Sequence, residues 1–295
     1  MTIQSWQVGR VRITCILEKM IEPEVMVDVV PSLTPDALAE IGWLYPHYVD
    51  DAGQPISAVQ AFIIEADGKR ILVDSCIGDG KDLDALMPVW SRLQTNFLTR
   101  LEAAGFAPDC IDMVVCTHLH ADHIGWNTMR INGHWLPTFP GARYLFGRQE
   151  FGSTDFSMPG KAGESPTLMP VYIESILPVI EAGLVDLVET DHQLCDSVRL
   201  VASPGHTPGH VSVLIESDGQ SAMVSGDWVH HPAQLAHPEW PSRYDADPQQ
   251  ANATRAAMLQ RMEADATLLV GSHFAEPSAG RVVTDGRSYR LTMSE

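Results

Sequence analysis

Short apolar runs broken by turn residues recur along the chain and predict mostly strands. A hairpin opens it: Trp6 to Val8, a Gly9-Arg10 turn, then Val11 to Leu17. Strands at about 58–65 and 70–74 flank Asp67-Gly68, a dipeptide suited to a tight hairpin. Residues 20–56 contain Pro23, Pro31, Pro35, Pro46 and Pro55 and read as an extension with one short helix. There Thr34 caps, Pro35 takes the first helical position, and the helix runs to about Trp43. A further helix is predicted over about 91–104, closed by Gly105, and a strand, Met113 to Cys116, leads into Thr117-His118.

The second half repeats this grammar. A helix is expected over about 171–182, ending at Gly183, with strands near 184–189, 198–202, 211–216 and 221–225, the last pair joined by Asp218-Gly219. A helix over about 248–263 has Asp245 or Asp247 as its cap and Pro248 at its start. Strand 267–270 leads into Gly271-Ser272-His273, and strands at 281–284 and 288–291 flank Asp285-Gly286. Residues 152–170 read as a loop long enough to suggest function. The strands at 113–116, 221–225 and 267–270 carry apolar residues on both faces, the mark of burial on both sides. Two sheets with helices outside are the economical arrangement, in one domain over 1–295.

Composition narrows what such a chain does. Hydrophobic residues make up 45% of 295 and charged residues 19%, enough for a core that needs no disulfide or structural metal. No apolar run approaches the ~20 residues of a membrane helix. The N-terminus has no basic stretch leading into an apolar one, so the reading is a cytoplasmic protein. Lys plus Arg is 19 against 38 for Asp plus Glu, a net charge of −19, and the basic residues are scattered. Such a surface repels nucleic-acid phosphates and anionic membranes. Cys15, Cys76, Cys110, Cys116 and Cys195 show no CxxC spacing and fit buried thiols in a reducing compartment.

The chemistry concentrates in THLHADHIGWN. His118, His120, Asp122 and His123 fall within six residues of a chain with 12 histidines. In an extended segment His118 and His120 point to one side. A turn at Ala121 lets Asp122 and His123 point to a second position nearby, so one segment serves two adjacent ions. His206 in SPGHTPGH, Asp227 in VSGDWVHH and His273 in VGSHFAEP stand where strands end, the usual place for catalytic side chains. Imidazoles and carboxylates suit zinc, and also manganese, iron or cobalt. No cysteine neighbours these positions, which excludes an all-thiolate site.

HLHADH, GHTPGH, SGDW and GSHF, in that order, with Asp74 in ILVDS upstream, resemble the metallo-β-lactamase superfamily. The resemblance implies an α/β (α+β) αββα sandwich of two similar halves with metals at one edge. It gives His118, His120 and His206 to one metal and Asp122, His123 and His273 to a second, with Asp227 bridging. Asp74 would orient a ligand histidine. HADHIGWN, GDWVHHPAQL and HFAEP place the chain nearest the lactonase and methyl-parathion-hydrolase branch. Acyl-homoserine-lactone lactonases of this fold have a tyrosine three residues beyond the bridging aspartate. His230 stands there instead and favours the parathion-hydrolase-like branch.

The implied enzyme is a dinuclear metal-dependent hydrolase in which a bridging hydroxide opens a lactone or cleaves an ester, with phosphotriesters as a side activity. Asp227 shuttles a proton, Asp122 shares the catalytic site, and His230 contacts substrate or leaving group. Trp126 and Trp228, beside the ligand motifs, would wall an apolar pocket for a small, neutral, fairly hydrophobic substrate. Residues 20–56 would cover a neighbouring subunit of a homodimer. The alternatives are a glyoxalase II-like thioesterase, a mononuclear iron persulfide dioxygenase-like oxidoreductase, and a non-catalytic metal-binding protein. Only about 20 residues follow His273, so the helical substrate domain of glyoxalase II is missing.

Overall fold

Alternate side chains of the central strands face one another across two sheets. The computed structural model describes residues 3–153 and 167–293. In chain order the strands are β1 (Ser5–Val8), β2 (Val11–Ile21), β3 (Ser57–Ala66), β4 (Lys69–Val73), β5 (Met113–Cys116), β6 (Thr128–Ile131), β7 (His134–Pro137) and β8 (Arg143–Gly147). There follow β9 (Val185–Val188), β10 (Gln193–Cys195), β11 (Val198–Ala202), β12 (Val211–Ser217), β13 (Gln220–Val224), β14 (Leu268–Val270), β15 (Ala279–Asp285) and β16 (Ser288–Thr292). One seven-stranded sheet has the order β1-β2-β3-β4-β5-β8-β9 and the other runs from β10 to β16 in sequence, with β6 and β7 a separate hairpin.

The two sheets share a plan. In each, four antiparallel neighbours lead by a crossover to a fifth strand parallel to the fourth: β5 beside β4, and β14 beside β13. The layer between them is apolar. Phe62, Ile64, Ile71, Val73 and Val115 meet Val211, Val213, Ile215, Val224 and Val270. The intervening residues of the same strands, among them Ala61, Ile63, Leu72, Val114, Leu214 and Met223, belong to the core under the outer layers. Strands buried on both faces therefore read as continuous apolar runs.

The helices form those outer layers. They are α1 (Pro23–Val29), α2 (Pro35–Ala39), α3 (Phe97–Ala103), α4 (Ala121–Ile124), α5 (Arg148–Ser153), α6 (Met169–Val171), α7 (Leu177–Glu181), α8 (Ala233–Ala236) and α9 (Pro248–Ala264). A π-helical turn, Tyr172–Ile176, joins α6 to α7. Helix α3 packs on β2 and α9 on β15. In α9 the buried residues Ala251, Thr254, Arg255, Met258, Leu259 and Met262 form one stripe. Asp247, not Asp245, caps it by accepting the N–H of Gln250 at 3.0 Å.

Several elements depart from the sequence reading. The helix expected from 91 starts only at Phe97, because Asp79 Oδ1 accepts Thr95 N–H at 2.7 Å and holds the preceding segment in a loop. The helix from Pro35 stops at Ala39, and a 3-10 turn, Gly42–Leu44, follows. Helix α1 and strand β8 have no counterpart among the expected elements; β8 lies parallel between β5 and β9. Residues 20–56 fold back on the body of the chain, with Val30, Leu33, Leu38, Leu44 and Tyr48 buried. Of the loop expected over 152–170, residues 154–166 lie outside the described residues; Gly152 and Ser153 end α5, and Met169 begins α6.

Candidate metal centre

The crossover strands of both halves end at one edge. Strand β4 is followed by Asp74, which takes the left-handed φ of 59°. This turns its carboxylate onto Thr117, where Oδ1 accepts the N–H at 2.8 Å and Oδ2 the hydroxyl at 3.0 Å. Strand β5 runs through Thr117 into His118 and His120, and α4 then carries Asp122 and His123. From the second sheet come His206 after β11, Asp227 in the turn Gly226–Trp228 after β13, and His273 after β14.

The ligating atoms form groups within 4.8 Å of one another. One holds His118, His120 and His206, another Asp122, His123 and His273. Asp227 lies between them and divides its oxygens. Its Oδ1 is 3.3 Å from His123 Nε2 and 3.2 Å from His273 Nε2. Its Oδ2 is 3.6 Å from His206 Nε2 and 3.9 Å from His118 Nε2. Asp122 Oδ2 is 3.6 Å from both His123 Nε2 and His273 Nε2. The outer ring nitrogens are occupied elsewhere: His123 Nδ1 lies 2.9 Å from Asp74 Oδ2, His206 Nδ1 3.0 Å from Asp245 Oδ1, and His273 Nδ1 3.0 Å from the Ala58 carbonyl. The Nε2 atoms are thereby left facing the centre.

Buried polar atoms without partners are costly. Among the described residues His118 Nε2, His123 Nε2 and Asp227 Oδ1 are buried with no hydrogen-bond partner. Those are donor atoms a cation would satisfy, so the residues fit a divalent metal. Electrostatics agree. Burial drives His118 and His206 well below the usual imidazole range, leaving neutral lone pairs. Burial also opposes charge on His123, but the carboxylates of Asp227, Asp122 and Asp74 outweigh it and raise its pKa well above that range. Burial opposes charge on Asp227 too, yet His123, His273 and His230 hold it well below the carboxylate range. The centre thus attracts positive charge at Asp227.

Three further residues support the centre: His210, which closes the GHTPGH motif, and Gly226 and Glu150, which the sequence does not single out. His210 Nε2 accepts the Asp227 N–H at 2.8 Å. Gly226, at φ +61°, leaves it room: a methyl group there would come within 2.5 Å of His210 Nε2. Glu150, buried, accepts Leu119 N–H at 3.2 Å, the Thr207 hydroxyl at 2.7 Å and Gly209 N–H at 3.1 Å, tying the two loops that carry His118, His120 and His206.

A cavity of about 380 Å³ opens beside the centre. His120, Asp122, His206, Asp227, His230 and His273 lie on one side, and Ile21, Met26, Val29, Leu83, Leu86, Met87, Trp90, Leu168 and Val171 form apolar walls. His230 Nε2 is 3.3 Å from Asp227 Oδ2, and its Nδ1 has no partner. Trp126 and Trp228, expected as walls, do not line this cavity. Trp126 stacks on Phe97 with centroids 5.6 Å apart and donates to Glu18 Oε1 at 2.6 Å, so its ring is spent in the core. Trp228 is fully buried beneath the site. Trp90, on a 3-10 turn far from any ligand motif, lines the cavity instead.

An αββα sandwich with two histidine-carboxylate groups sharing one aspartate defines a metal-centred class of protein. Residues 55–273 match the metallo-beta-lactamase superfamily, and the chain belongs to it. An N-acyl homoserine lactonase of Bacillus cereus is 26% identical over 175 residues, 59% of this chain and 55% of that protein. The probable metallo-hydrolase YflN of Bacillus subtilis (strain 168) is 29% identical over 153 residues, 50% of this chain and 54% of that one. The chain spans about half the length of the curated relatives it matches. Among solved structures, hydrolase AbOPH in the beta lactamase superfamily has a TM-score of 0.78 at 23% identity, covering 99% of this chain and 97% of that one. AidC, a dizinc quorum-quenching lactonase, has a TM-score of 0.78 at 18% identity with the same coverage. At these identities the likeness establishes the fold.

Proposed function

We propose that the chain is a two-metal hydrolase of small, neutral, fairly hydrophobic lactones and esters. The observation that carries this reading is the division of Asp227, one oxygen toward each histidine group, at the edge of a largely apolar cavity. His118, His120 and His206 would hold one ion, Asp122, His123 and His273 the other, and Asp227 both. Five imidazoles and two carboxylates suit zinc, with manganese, iron and cobalt also compatible. When bound, such ions would supply Lewis acidity toward the substrate oxygen and would lower the pKa of water at the centre.

The chain's own residues do the rest. Asp122, the more exposed carboxylate, is placed to accept the proton that hydrolysis releases, while Asp227, held well below the carboxylate range, stays ionised. His230, against Asp227 Oδ2 and facing the cavity, is placed to pass a proton to the leaving oxygen. Met26, Val29, Leu86 and Trp90 exclude water and receive the apolar part of the substrate. No Lys or Arg is among the cavity-lining residues described, so a second anionic group on the substrate would find no clamp. Neutral phosphotriesters fit the same chemistry as a side activity; phosphodiesters and carboxylated β-lactams do not. The test is kcat/KM on a neutral lactone, an aryl ester, a phosphotriester and a phosphodiester under one metal condition. Preference for the phosphodiester would overturn the substrate reading.

A further inference from the structure

Residues 242–247 run from the apolar wall of the cavity to His206. At the wall end, Arg243 N–H donates to the Val29 carbonyl at 2.8 Å, and its guanidinium lies 3.2 Å from Asp28 Oδ1. Tyr244 lines the cavity and donates its hydroxyl to Asp28 Oδ2 at 3.2 Å. At the other end, Ala246 N–H donates to the His206 carbonyl and Asp247 N–H to the Gly205 carbonyl, both at 2.9 Å. The first turn of α9 closes on the same spot. Gly205 has φ +130°, and a methyl group there would meet Ala251 N at 2.3 Å. The backbone of His206 is thus gripped from two sides.

The ring is gripped as well. His206 Nδ1 is 3.0 Å from Asp245 Oδ1, with both side chains essentially inaccessible, at 1% and 0%. The second oxygen, Oδ2, accepts the N–H of Ser242 at 2.8 Å and so fixes the carboxylate plane. A carboxylate has only acceptors, so the proton between it and the ring belongs to Nδ1. Nε2 is left without a proton, an acceptor 3.0 Å from His120 Nδ1 on the side that faces His118 and His120. The other ligand group has a parallel arrangement, in which Asp74 holds His123.

We propose that Asp245 is a positioning residue for His206: it sets the tautomer and plane of that ring and so governs metal affinity at the His118–His120–His206 group alone. The inference rests on the two-ion reading of the centre. Remote partners of ligand histidines typically contribute about 10–100-fold in metal affinity. Asparagine would be a poor substitute. Its single carbonyl oxygen can accept from His206 Nδ1–H or from Ser242 N–H, and its amide then faces the other donor.

The test titrates the metal-free protein with zinc alone, against a chromophoric chelator, in wild type, Asp245→Ala and Asp245→Asn. The expected result is two equivalents in wild type, with one weakened about 10–100-fold in each variant and the other unchanged. Nitrogen-15 imidazole spectra of the metal-free wild type, which need no variant to fold, should place the His206 proton on Nδ1. Two variant equivalents at wild-type affinity, both weakened alike, or a His206 proton on Nε2 would each overturn the proposal. Fewer than two equivalents in wild type would overturn the two-ion reading and the proposal with it. No substrate enters this titration, so failure to hydrolyse any lactone or ester would count against the substrate reading alone.

Discussion

The Nδ1 of His123 lies 2.9 Å from Oδ2 of Asp74, and this contact turns His123 Nε2 toward Asp227. Asp74 also accepts both the N–H and the hydroxyl of Thr117, so it braces the segment that carries His118. Truncation should therefore reach both ligand groups. Asp74→Ala and Asp74→Asn are each expected to lower zinc affinity about 10–100-fold, because an amide cannot accept both the Thr117 N–H and the His123 Nδ1–H. Chelator competition reads this directly. An unchanged affinity would reduce Asp74 to a turn-capping carboxylate.

His230 lies within 4.8 Å of the ligating atoms of His206 and Asp227, outside the two groups that share Asp227, and it faces the cavity. His230→Ala should lower kcat on an aryl ester by roughly 100-fold, the scale of a lost proton-transfer group. Metal content should stay at two ions per chain. If elemental analysis of that variant found one ion missing, His230 would be a ligand.

Gly226 stands at φ +61° with His210 Nε2 2.5 Å from where a methyl group would sit. The same nitrogen accepts the Asp227 N–H, so a side chain here displaces the support of the shared aspartate. Gly226→Ala should destabilise the fold by about 1–3 kcal/mol in denaturant unfolding and weaken metal binding. Wild-type stability together with wild-type metal affinity would count against the assigned support.

Lys81 is a buried amine away from the centre. Its Nζ donates to Thr128 Oγ1 at 2.6 Å and to the Glu174 carbonyl at 2.8 Å, over the Trp135 ring. Burial lowers its pKa from 10.5 to about 7, although the Glu174 carboxylate opposes the shift. Asp82 and Arg130 also act on that carboxylate. Between pH about 7 and 10.5 the unfolded chain holds a proton here that the folded chain has lost. Raising the pH through that window therefore favours folding. The unfolding free energy of wild type relative to Lys81→Met should rise across it. A flat difference would show that the folded amine keeps its proton.

The ligand residues are legible in sequence because their spacing is local: His118 to His123 lie on one strand end and one turn of helix. His206, Asp227 and His273 are legible as polar residues ending apolar strands. The hairpins at Asp67-Gly68 and Asp218-Gly219 follow from turn chemistry, and the aspartates take φ of 50° at both. The apolar walls are not legible. They come from α1, the segment around Leu83 to Trp90 and the residues near Leu168, which meet only in the folded chain. Adjacency to ligand motifs points instead to Trp126 and Trp228, whose backbones lie at the site while their rings pack inward. In sequence, Asp245 is one of two candidate caps for α9. Only the fold shows Asp247 capping it while Asp245 reaches back 39 residues to His206.

The proposed function requires that two ions at this one centre together hydrolyse a neutral ester bond. It is tested by following turnover of a neutral aliphatic lactone while zinc is titrated into the metal-free protein. Activity should stay low through the first equivalent, climb to a plateau at the second, and be abolished in Asp227→Asn. Full activity at one equivalent, or undiminished activity in Asp227→Asn, would contradict the account.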